Sequence, residues 1–202
     1  MKRYGILLLV TMLLSGAALS LRVAAEQSEL ASRLIRLHVV AASDSVGDQA
    51  RKLAVRDALL PELAALTADC ADAESAAAVL TQALPALEDS AARTLGTGEP
   101  AAASLGWERF PRRDYGSFSL PAGNYRALRI TLGAGEGHNW WCVAFPALCL
   151  PAAEPEEEAA AFDEAAVAAG LTDSEIEYMR SDAPTVRFKF RVLDWLAELF
   201  GS

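Results

Sequence analysis

The chain is poor in the residues that do metal and nucleophilic chemistry: two histidines and three cysteines among 202 residues. A four-ligand metal site would need His38, His138 and two cysteines to converge, so no metal and no other cofactor is expected. Basic residues are outnumbered, 18 against 27 acidic, for a formal net charge of −9. Nucleic-acid binding, which needs Lys and Arg to displace counterions, is not expected. No GxSxG elbow surrounds any serine. Gly133-Ala134-Gly135-Glu136-Gly137 has neither the GxGxxG spacing of a dinucleotide loop nor the GK[ST] of a P-loop. No internal repeat is visible. What the chain does have is apolar residues, 52% hydrophobic against 22% charged, which rules out wholesale disorder and allows a sizeable core.

The N-terminus reads as an export signal. Lys2 and Arg3 precede an apolar run from Ile6 to Leu14, and Ala18-Leu19-Ser20 and Val23-Ala24-Ala25 both suit a signal peptidase. The alternative is an uncleaved anchor, because Gly5 to Leu21 lies at the lower edge of what spans a bilayer. Either way Lys2 and Arg3 stay in the cytoplasm and the rest lies outside. Residues 1–25 are therefore assigned to a signal peptide or membrane anchor, 30–151 to one domain, and 152–202 to an acidic linker with C-terminal helices.

Within the domain, Leu34 to Ala41 reads as a buried strand with Ile35, Leu37 and Val39 on one face and Arg36, His38 and Val40 on the other. Ser43-Asp44-Ser45 breaks it, and Ser45 with Asp48 resembles a capping box that starts a helix. Asp48, Lys52 and Arg56 predict a solvated, ion-paired face. Leu53, Leu60, Leu63 and Leu66 predict the buried stripe, and Pro61 predicts a kink or a split. A second helix begins near Asp72, carries a strong 3.6-residue stripe, and stops at Gly96. Leu105 to Phe110 and Tyr125 to Leu132 read as strands joined by a long connection. The expected architecture is α+β: a small mixed or antiparallel sheet in the order β-α-α-β-β, an α-hairpin on one face, and a preceding signal or anchor helix. Glu154 to Glu158 reads as a solvated linker, Asp173 to Met179 as a short helix, and Phe188 to Phe200 as an amphipathic helix that docks on the domain or lies on a membrane.

Several residues can carry chemistry or structure. His38 beside Asp44 suggests either a structural hydrogen bond to the 43–45 turn or a hydrolase pair with Cys142 as nucleophile and His138 as an alternative base. Cys142 and Cys149 are either a disulfide, allowed by export, or buried thiols. Trp140 and Trp141 are adjacent, so on a strand one points into the core and the other outward as an interface anchor. Arg112, Arg113 and Tyr115 form an Arg/Tyr patch of the kind enriched at interfaces. The assignment is partner binding for Arg113, Tyr115, Asn139, Trp140 and Trp141, a structural role for His38, Ser43, Asp44 and Gly123, and a disulfide for Cys142 with Cys149.

LIRLHVVAASDS (34–45) followed by DQARKLAVRDALL (48–60) resembles the opening of the stage II sporulation protein R family. FPRRDYGSFSLPAGNYRALRITLG (110–133) and GHNWWCVAFPALCL (137–150) resemble it too, so the likeness spans Leu34 to Leu150. The chain departs at Ala42, where the family favours Asn. The resemblance implies a signalling protein, not an enzyme. Such a protein is made in the forespore and exported to the space between forespore and mother cell. There it triggers a membrane-embedded aspartyl protease that processes the sigma-E precursor. The FPRRDYG loop and NWWC segment are the expected contacts, with membrane contact through the N-terminal segment or the C-terminal helix. The alternative function is an envelope thiol hydrolase using Cys142 with His38 or His138.

Overall fold

The computed structural model describes residues 2–96, 98–148 and 155–180. Helix α1 (Lys2–Ser32) leads into strand β1 (Ile35–Val40), helices α2 (Val46–Thr67) and α3 (Ala73–Leu95), and strand β2 (Ala101–Phe110). A small ribbon follows, β3 (Arg113–Asp114) with β4 (Ser119–Leu120), then strands β5 (Gly123–Leu132) and β6 (Asn139–Phe145) and helices α4 (Pro155–Ala168) and α5 (Asp173–Arg180). The main sheet has the order β2-β5-β1-β6, with β1 parallel to β5 and the other two pairings antiparallel. This is an α+β fold with a small mixed sheet and the α2–α3 hairpin on one face. The simple β-α-α-β-β order is enlarged: the NWWC segment supplies a fourth strand, and the long connection folds into the ribbon. A central strand needs partners on both edges, and β6 is the one that completes β1.

All six residues of β1 are buried, which explains its near-continuous apolar run. Ile35, Leu37 and Val39 join Leu128, Ile130 and Leu132 of β5 under Val55, Leu59 and Leu63 of α2 and Leu80 and Leu87 of α3. Each such side chain, fully buried, contributes about 1.5–3 kcal/mol. The expected α2 stripe holds in part: Leu63 is fully buried and Leu60 and Leu66 pack against the core, but Leu53 is exposed, and the other fully covered positions are Lys52, Val55, Leu59 and Thr67. Pro61 does not split α2, nor does Pro85 split α3. Both helices start as predicted: the Ser45 side chain accepts from the Asp48 N–H, and Asp72 forms a capping box with Ser75. Helix α3 ends at Gly96, in the left-handed conformation that suits glycine.

A second apolar cluster lies on the opposite sheet face. It joins the last turn of α1 (Leu30) and Leu34 to Phe110, Phe118, Tyr125, Phe162 of α4 and Met179 of α5. Arg33 ties α1 to α5 through Glu175 at 2.9 Å and the Gly170 carbonyl at 3.0 Å. Val10, Met12, Leu13, Leu14, Leu19 and Leu21 of α1 are exposed. Among the described residues, no helix is long and apolar enough to cross a membrane. The acidic run is not a linker from Pro155 onward, because it opens α4; proline suits a first helical turn, where its missing N–H has no intrahelical partner anyway. The amphipathic segment expected at Phe188 to Phe200 lies outside the described residues.

Candidate interaction site

Strand alternation places Arg36 and His38 on the face away from the α2–α3 hairpin. Arg36 is fully buried. Its Nε donates to the Cys142 carbonyl at 3.0 Å and its Nη2 donates to the Tyr115 hydroxyl. The guanidinium lies 4.4 Å from the Phe110 ring centroid, 5.0 Å from Tyr125 and 5.6 Å from Tyr115. Among the described residues no carboxylate pairs with it, so carbonyl, hydroxyl and ring faces replace the water that a buried cation loses, a loss of several kcal/mol. A desolvated cation–π contact returns about 2 kcal/mol. Burial lowers the Arg36 pKa, with Tyr115 and Tyr125 opposing that shift. The same burial raises the Tyr115 pKa and pushes Tyr125 up to about 12, so both phenols are neutral near pH 7.

His38 lies one strand pair along the same face. Its Nδ1 is 2.8 Å from Glu108 Oε2, and Glu108 also reaches Arg129 at 3.4 Å. Trp141 stacks on the imidazole with centroids 4.0 Å apart and meets Phe110 edge-on at 4.8 Å. The Arg113 guanidinium stands 5.7 Å from the Trp141 centroid. A histidine at the floor, a half-buried tryptophan above it and an exposed arginine at the rim thus form one stack. The contact expected between His38 and the 43–45 turn is not formed. His38 lies within β1, opposite Arg129 and Trp141, and its side chain meets Glu108, while the turn folds onto the β5–β6 loop.

That turn is a second polar cluster. Asp44 accepts from the His138 backbone N–H at 2.6 Å and also pairs with the His138 ring. Ser43 and Ser45 both donate to Asp48, which also binds Arg51. The Gly137 N–H donates to the Ala41 carbonyl at 2.9 Å, and a side chain at Gly137 would collide with the Ser43 carbonyl. Only glycine allows that approach. Lys52 is not on a solvated face: it is 5% exposed, and its Nζ donates to the His138 carbonyl at 2.9 Å. Hydrogen bonds from His138 hold the Asp44 pKa below its ordinary value, those from Ser43, Ser45 and Arg51 hold Asp48 down, and desolvation lowers Lys52.

Of the residues assigned to partner binding, Arg113, Tyr115 and Trp141 gather on the Arg36–His38 face. Asn139 is exposed at the start of β6, opposite Val40. Trp140 lies on the other face, half-buried against the first core, with the Arg56 guanidinium 4.3 Å from its ring. Neither tryptophan is fully buried, and each has an arginine over its ring. Gly123 opens β5, where a side chain would meet the Tyr125 ring at 3.3 Å, and Tyr125 donates to the Pro121 carbonyl at 2.8 Å. Cys142 is buried and is not a free thiol, whereas Cys70 is free. Cys149 lies outside the described residues. Cys142 pairs in register with Leu37 and faces the helices, so it is on the opposite side of the sheet from His38, and the His138 ring is held by Asp44. The hydrolase constellation is therefore not assembled. Among the described residues, no group of three or more His, Cys, Asp or Glu side chains could hold a metal ion.

The sequence reading missed Arg36 and Glu108. An arginine inside an otherwise apolar strand was the available signal for Arg36. Nothing local marks Glu108, whose role depends on strand register.

A family model for stage II sporulation protein R matches residues 31–154. The stage II sporulation protein R of Bacillus subtilis (strain 168) is 32% identical over 216 residues, covering 95% of this chain and 96% of the relative. No solved structure matches.

Proposed function

Because the chain belongs to the stage II sporulation protein R family, with the sporulation role that family carries, we propose that it is an exported forespore signal. Its proposed partner is a membrane-embedded aspartyl protease of the mother cell, reached in the space between the two cells. Contact with the chain switches that protease on, and processing of the sigma-E precursor follows. The contact surface is the Arg113–Trp141 stack with Tyr115 and Asn139 beside it, while Trp140, on the opposite face, takes no part in it. The observation that carries this surface is Trp141, fixed by His38 beneath it yet open enough to meet a partner. A rigid, half-exposed tryptophan beside an arginine is the chemistry of an interface anchor.

Export has its own support. Among the described residues, α1 leaves Val10, Met12, Leu13, Leu14, Leu19 and Leu21 exposed, while Gln27 and Leu30 near its end contact the domain. Cleavage after Ser20 or Ala25 would keep those contacts. On the oxidising side of the membrane Cys142 pairs with Cys149, closing a short loop worth roughly 2–3 kcal/mol in the chain-entropy model. Non-reducing mass spectrometry of the secreted protein reads that link directly. The functional test is reconstitution of the protease with its precursor substrate. Purified chain is expected to stimulate precursor cleavage, and a protease equally active without it would end the proposal.

A further inference from the structure

Strand β2 is an edge of the main sheet, and among the described residues no strand pairs with its outer side. Its ten residues run in unbroken register with β5. The orientation of each peptide group can be read from two contacts. The Pro100 carbonyl accepts from Gly133 of the β5 end, so even-numbered positions face inward. The Ala103 N–H donates instead to Glu88 of α3 at 2.8 Å, so odd-numbered positions face outward. Glu88 thereby covers the edge at Ala103, a common protection for an exposed strand. Beyond it, the outward peptide groups of Leu105, Trp107 and Arg109 have no such cover among the described residues.

Trp107 sits at the centre of that open stretch and is 60% exposed. Arg126, directly opposite on β5, lies 5.7 Å from its ring and is itself held by Glu74 at 2.9 Å. A side chain at Gly106 would meet nothing within 4 Å, so approach from the other face is clear. Arg109 and then Arg112 are exposed at the far end of that stretch, in a chain of net charge −9, whereas Arg126 is paired with Glu74 and Arg129 with Glu108.

We propose that the outer edge of β2, from Leu105 to Arg109, takes up an extended acidic segment of a protein partner as an added strand, anchored on Trp107. Main-chain hydrogen bonds to the outward groups supply the pairing, Trp107 supplies the apolar contact, and Arg109 selects for carboxylates. This surface lies away from the Trp141 stack, and the inference does not depend on the protease reading.

The test uses the full chain and a decapeptide of alternating Glu and Val, with a Lys/Val decapeptide as control, followed by residue-resolved amide exchange. At ten times its Kd, the acidic peptide should slow exchange at Leu105, Trp107 and Arg109 about tenfold. Trp107→Pro removes an N–H that β5 does not use, so the sheet should survive while peptide protection is lost; Trp107→Ala should weaken it less. Arg109→Glu, an exposed change that leaves the backbone alone, should weaken the acidic peptide and favour the Lys/Val one. No protection by millimolar acidic peptide, or equal protection by the control, overturns the proposal. So does protection already present without peptide, which would place a second copy or the chain's own tail on this edge.

Discussion

The two faces of one sheet are held by different means, although the same strands build both. Toward α2 and α3, Ile35, Leu37 and Val39 belong to an apolar cluster, and the energy comes from area removed from water. On the other side, Arg36 and His38 alternate with them yet are equally covered, by rings, a carbonyl, a phenol and a carboxylate. The first face tolerates many partners of suitable size. The second works only if each polar group finds its particular partner, because an unpaired buried donor or acceptor costs about 1–3 kcal/mol. Function is expected where pairing is specific and incomplete: His38 Nε2 and one Arg36 nitrogen have no partner among the described residues.

The largest separation of the faces should come from truncation on the apolar side. Leu37→Ala is expected to lower stability by about 2–5 kcal/mol, as a buried leucine cavity does. Partner activation should then fall only with the folded fraction, which melting curves beside precursor cleavage would reveal. Activity lost from fully folded Leu37→Ala protein would mean that the apolar face also signals.

Arg36→Met asks whether the second face is stable for polar reasons. Removing the donor to the Cys142 carbonyl should lower stability by about 1–3 kcal/mol, and Arg36→Lys should not restore it, because a single ammonium lacks the guanidinium fork. Chemical denaturation decides; a more stable Arg36→Met protein would show that ring packing alone suffices there.

Smaller in stability but visible in function are the rim changes. Arg113→Ala should change stability by no more than about 0.5 kcal/mol, yet weaken partner activation by about 1–3 kcal/mol. Trp141→Ala should affect both, since it also uncovers His38. Trp140→Ala, on the other face, should act more through stability. Equal profiles for the two tryptophans would erase the distinction between faces.

The smallest expected effect is acid sensitivity of the 43–48 turn. The pKa values of Asp44 and Asp48 are depressed in the folded chain. Their contribution is therefore fully present above the unfolded carboxylate value, about 3.9, and is lost as pH falls through the lower folded value. Asp48→Asn should flatten that part of the stability–pH curve below about pH 4. An unchanged acid limb would show that this cluster does not differ in solution from exposed carboxylates.

Local signals in the chain were enough for the starts of α2 and α3, the Gly96 stop, the buried β1 and the α+β class, because caps and periodicity act within a few residues. They were also enough to set the two tryptophans on opposite faces, since that needs only strand alternation. Local signals wrongly put Leu53 in the α2 stripe, left out Val55 and Leu59, and put Lys52 in solvent, where the angle at which a helix meets the sheet selects among near-equivalent positions. They could not pair His38 with Glu108, 70 positions away, or lay Arg113 over Trp141. Those contacts depend on the β2-β5-β1-β6 order and its register, and a one-residue slip of any strand would turn each of these side chains to the other face. The residue types of the site, its two faces and the family motifs were thus properties of the sequence by itself. Which charge meets which ring was decided only by long-range strand pairing, because polar contacts are short-ranged and directional and exist only once the backbone has brought their partners together.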